Sequence, residues 1–111
     1  MAMKKTKREK LEAAGWRVGT AADFLGLTKE EVALIEMKIG LAENVRKRRE
    51  ARKLTQTQLA NRLGSSQSRV AKMEAADPSV SIDLLVRTML ELGATRAQVA
   101  RAMAKPPRRA A

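Results

Sequence analysis

Gln67, Ser68, Arg69 and Lys72 place an amide, a hydroxyl and two cations within six residues, with the small residues Ala71 and Ala75 beside them. A Gln amide can make a paired hydrogen bond to the edge of adenine, and Lys or Arg can contact guanine or phosphate. No acidic residue enters this run before Glu74. A second run, Arg46-Lys47-Arg48-Arg49, offers consecutive cations, of which Arg46 and Arg48 are candidates for phosphate contact. Other chemistries find less support. Glu30 and Glu31 are adjacent, and adjacent residues of a helix do not face each other. Ser65 and Ser66 have no His to act as base and no nearby acid to orient one. Gly15 and Gly19 lack the strand and the spacing of a phosphate loop. The chain contains no His and no Cys, which removes imidazole and thiolate chemistry, disulfides and the common metal-ligand sets. The expectation is a protein that is not an enzyme and uses no cofactor and no metal.

The chain has 111 residues, enough for one modest core. Its formal net charge is +11, which predicts attraction to a polyanion, either nucleic acid or an anionic membrane surface. The charge is uneven: positive over 1–10, 41–76 and 96–111, negative over 11–40 and 77–95. Trp16 and Phe24 are the only aromatic residues, so the chain cannot build the stacking platform of an RNA-recognition sheet or a single-strand binder. Both fit either an anchor for the N-terminal segment or a partner surface, and self-association through 11–40 is the favoured role. The six Met residues read as core filler. No apolar run reaches the length of a membrane span, and the basic start Met1–Lys5 is not followed by an apolar signal stretch. A soluble cytoplasmic protein is expected.

Helix-starting signals organise what must hold these residues in place. Thr28 with Glu31, Thr55 with Gln58 and Thr95 with Gln98 have capping-box spacing, and Leu27 with Val32 has that of a hydrophobic staple. A helix is predicted from about Lys29 to Arg52, with Val32, Ile35, Ile39 and Ala42, then Leu41 and Val45, as its apolar stripe. Gly40 costs about 1 kcal/mol relative to Ala within it, and a break there is the alternative. Helices follow at Gln56–Leu63, stopped by Gly64; at about Gln67–Ala75, capped by Ser65 or Ser66; at Ile82–Leu92 after Ser81; and at Arg96 to about Ala104. A weaker short helix is placed at Ala21–Gly26, and Asp77-Pro78-Ser79 reads as a turn. The chain is predicted to be all-α. Its expected divisions are a basic tail and extension at 1–27, a helical domain at 28–104 and a basic tail at 105–111.

The two short central helices cannot stand alone and must pack on a third element. Their spacing describes a helix-turn-helix over 55–75, whose second helix enters a DNA major groove by its N-terminal end. On a helical wheel Val70 and Met73 lie together and define an inner face. Ser68 and Lys72 fall opposite, Arg69 lies on one flank, and Gln67 projects from the helix start.

At these residues the sequence, Leu54-Thr55-Gln56-x-x-Leu59-Ala60-x-x-x-Gly64-x-Ser66-Gln67-Ser68-x-Val70-x-x-Met73-Glu74, resembles the lambda repressor and Cro-like helix-turn-helix family, also called the XRE family. The resemblance implies a five-helix DNA-binding domain over about 41–104, with the residues before it as an N-terminal helical extension. It implies that Gln56 holds a backbone phosphate. It makes Gln67 and Ser68 readers of base edges, with Ser66 counted beside them and Lys72 at a further groove-facing position. Arg69 is a cation where many relatives carry a small or hydroxyl residue. Arg49 and Glu74 match a pair that bridges the first and third helices, which gives them a structural role. After Glu74 many relatives have an Asn-Gly turn, and this chain has Ala75-Ala76-Asp77-Pro78.

The leading expectation is a sequence-specific transcriptional regulator, a repressor, acting on double-stranded DNA as a homodimer. The segments 20–40 and 65–74 also resemble small regulators of toxin–antitoxin operons. The alternative is therefore an antitoxin whose N-terminal 40 residues neutralise a protein toxin. A nonspecific binder acting through charge alone is the third reading. No membrane partner is expected.

Overall fold

The computed structural model describes residues 25–105. The weaker helix placed at Ala21–Gly26 lies outside these residues except for Leu25 and Gly26, and so do Trp16, Phe24 and the tails. Five helices follow in order: α1 Lys29–Ala51, α2 Gln56–Leu63, α3 Gln67–Glu74, α4 Ile82–Glu91 and α5 Arg96–Ala104. No strand occurs among the described residues, so the fold is all-α as expected. Residues Met37–Lys105 form one compact unit. Within it α2 packs on α3 and α4 on α5.

The helix starts follow their caps. Thr28 and Glu31 exchange side-chain to backbone bonds of 2.8 and 3.1 Å. Thr55 with Gln58 and Thr95 with Gln98 form complete capping boxes. Ser66 and Ser81 each accept from the third backbone N–H of their helix, so Ser66 rather than Ser65 is the cap of α3. The helix ends share a second device. After α1, α2, α3 and α4 the chain turns through a left-handed residue, whose own amide and the next one donate to carbonyls of the last helical turn. Gly64 and Gly93 hold that position with φ 65° and 88°. Lys53 and Ala76 hold it with φ 57° and 54°, although nothing in their residue type announces it.

α1 runs through Gly40 without a break. The reason is tertiary: a Cβ at Gly40 would collide with the backbone carbonyl of Ala102, so glycine lets the end of α5 lie directly on α1. Burial on α1 begins at that point, with Gly40, Leu41, Ala42 and Val45. The predicted stripe therefore needs correction in its first half. Ile35 is exposed and Val32 only half-buried, both ahead of the compact unit that starts at Met37, and Ile39 at its beginning is also only half-buried. The core joins Leu41 and Val45 to Leu59, Val70, Met73, Leu85, Met89 and Leu92, all fully buried. Thr88 is buried among them, its hydroxyl 2.8 Å from the carbonyl of Leu84 and 3.4 Å from the Met73 sulfur.

Candidate nucleic-acid interface

α3 separates its faces as its sequence requires. Val70 and Met73 are fully buried, while Gln67, Ser68, Arg69 and Lys72 are exposed and Ala71 is half-buried. The Ser66 hydroxyl accepts the Arg69 N–H at 3.2 Å and lies 3.3 Å from the Ser68 hydroxyl. Ser66 thus fixes the helix start that carries Gln67 and Ser68 forward. The first-turn N–H groups of such a helix attract anions.

The exposed amide of Gln67 has a side-chain partner. Its Nε2 donates to Oε1 of Gln56 at 2.7 Å. Gln56 in turn donates to Oε1 of Glu74 at 3.1 Å. Glu74 accepts two bonds from Arg49, at 2.6 and 3.0 Å, and Arg49 also donates to the carbonyl of Leu54 at 2.8 Å. One continuous chain of hydrogen bonds therefore runs from α1 through α3 and α2 back to the start of α3. Its inner end is an ion pair whose side chains are only 13% and 6% exposed. The hydrogen bond to Glu74 holds the Arg49 proton more tightly than usual, against the opposing effect of burial, and Glu74 and Glu50 add attraction. Sequence reasoning paired Arg49 with Glu74 but gave Gln56 a phosphate role alone. The structure places Gln56 between Glu74 and Gln67, a link that no spacing within either helix announces.

The remaining candidates are distributed differently. Arg46 pairs with Glu50 across one helical turn at 3.3 Å, and both are exposed. Arg48 donates to the side chain of Asn44 at 2.7 Å. Arg69 lines a cleft toward α4. In the turn after α3, the Asp77 carboxylate accepts from the Ser79 hydroxyl at 2.6 Å and the Ser79 N–H at 2.9 Å. These bonds, with Lys72 and Lys38 nearby, hold its carboxyl below the ordinary value. Lys38 donates to the Pro78 carbonyl at 3.3 Å. Among the described residues no group of three acidic residues could hold a metal ion, and no helix is long and apolar enough to cross a membrane.

A family model described as Helix-turn-helix matches residues 45–97, from the buried half of α1 into the first turn of α5. No curated protein and no solved structure matches the chain.

Proposed function

From a chain that belongs, over residues 45–97, to the lambda repressor and Cro-like helix-turn-helix family, we propose a sequence-specific transcriptional repressor that binds a two-fold DNA site as a homodimer. The family match supports a DNA-binding regulator in general. The observation that carries the finer reading is the exposed amide of Gln67, held by Gln56 at the start of α3. A held amide loses less conformational freedom when it meets a base edge. Ser68 and Lys72 extend the same surface, and the small Ala71 lets the helix lie deep in a groove. One recognition helix reads few bases, so two copies on two half-sites are required for useful specificity.

Full-length protein titrated with duplex DNA from its own upstream region, and with a shuffled duplex, tests this at physiological salt. A preference of about 10³-fold or more is expected. Gln67→Ala should then remove about 1–3 kcal/mol from the preferred site and little from the shuffled one. An unchanged preference in that variant would refute base readout by Gln67. The antitoxin reading draws support from the exposed Leu34 and Ile35 beside Glu30, Glu31 and Glu36. Co-purification of a small protein encoded next to this one, lost on Leu34→Asp, would favour it.

A further inference from the structure

A cleft of about 400 Å³ opens between the end of α2, the turn after it, α3 and α4. Its volume is within the range of small-molecule sites. Leu63 and Leu84, each half-buried, give it an apolar side above the fully buried Met73, and Ser65 and Thr88 also line it. Arg62, Arg69 and Arg87 line it as exposed residues, one from each of three helices. None of these three guanidinium groups makes a hydrogen bond or ion pair with a described residue, whereas Arg46, Arg48 and Arg49 all do. Glu91 is the one acid on the lining. Three like charges around one opening repel, and an anion held among them relieves that repulsion.

We propose that this cleft binds a small amphipathic anion, its carboxylate or phosphate head held by Arg62, Arg69 and Arg87 and its apolar body set on Leu63 and Leu84. A DNA backbone would meet the same arginines, but it has no use for the apolar side of the cleft, and Glu91 opposes either anion alike. Arg69 belongs both to the cleft and to the flank of α3. An occupant there neutralises a cation beside the surface proposed to read DNA, which links ligand and DNA affinity reciprocally. That link rests on the DNA-binding reading, while the site itself does not.

The probes are decanoate and decyl phosphate, below their micelle concentrations, with decanol as the neutral control. They are titrated into full-length protein without DNA, following the methyl signals of Leu63, Met73 and Leu84 by NMR. A saturable change confined to these methyls and absent with decanol is expected. Arg87→Gln, whose side chain lies outside the DNA-reading surface, should weaken it about tenfold, the scale of one charge-assisted hydrogen bond. Arg62→Gln should do the same, and the better of the two probes identifies the head group. No saturable change, or equal response to decanol, overturns the proposal. So does a shift of the same methyls by any duplex, with Arg87→Gln weakening all duplexes alike, since the cleft would then serve DNA backbone. The DNA titration of the wild type is a separate measurement, so failure there leaves the result at the cleft readable.

Discussion

Glu74 carries two duties through one carboxylate. Its oxygens accept both Arg49 donors and the Gln56 amide, so removing its charge acts on packing and on the surface proposed to read DNA at once. Glu74→Gln leaves a guanidinium that is 13% exposed without its anionic partner. A carbonyl can still accept one of the lost bonds, so a stability loss of about 2 kcal/mol is expected, measurable by urea denaturation. The folded variant should also discriminate less between preferred and shuffled duplex, because Gln56 loses the carboxylate that holds it. Unchanged discrimination would show that Gln67 orients without this chain. Exposed pairs make a useful contrast: Arg46 with Glu50 is a surface contact one turn apart, worth only a few tenths of a kcal/mol.

Among the elements, the helix boundaries test how backbone shape is enforced. Ala76 sits in the left-handed region with φ 54°, where a Cβ costs about 1–2 kcal/mol. Glycine there relieves that strain but gains about 0.4–1 kcal/mol of freedom in the unfolded chain. Ala76→Gly should therefore stabilise by about 0.5–1 kcal/mol, seen as a higher melting temperature. Gly40 predicts the opposite sign. Alanine would improve helix propensity by about 1 kcal/mol, but its Cβ meets a backbone carbonyl that cannot turn aside. Overpacking of this kind costs about 1–3 kcal/mol and should win, so Gly40→Ala lowers stability, and faster amide exchange in α5 would locate the damage. These cases mark what the sequence discloses. The caps at Thr28, Thr55, Ser66, Ser81 and Thr95 are local chemistry, and they were legible with the helix starts to within a residue. The inner face of α3 was legible from Val70 and Met73 because periodicity states it. The reversals at Lys53 and Ala76 were not, since neither type prefers them. The necessity of Gly40 was not, because its reason lies on α5, more than fifty residues away. Nor was the shared cleft of Arg62, Arg69 and Arg87, since three separate helices must pack before these side chains line one opening.

For the molecule as a whole the net charge of +11 and the built surface on α3 make separable contributions. Charge releases counterions from any duplex, so affinity for shuffled DNA should fall by about 10³-fold or more between 50 and 200 mM salt if at least six phosphates are neutralised. Preference between duplexes should persist across that range, because base contacts release few ions. A preference that vanished with rising salt would assign recognition to charge alone. A carboxylate can only accept, so Glu74 obliges Gln56 to turn its NH₂ inward and its carbonyl outward. That carbonyl obliges Gln67 to do the same in its turn. The sense of the outermost amide is thus dictated by an acid it never touches, handed on link by link. What remains to Gln67 is one N–H and one carbonyl oxygen, a give-and-take pair that matches adenine and mismatches the two acceptors of guanine. In the proposed readout, the base that Gln67 favours is therefore set from the interior.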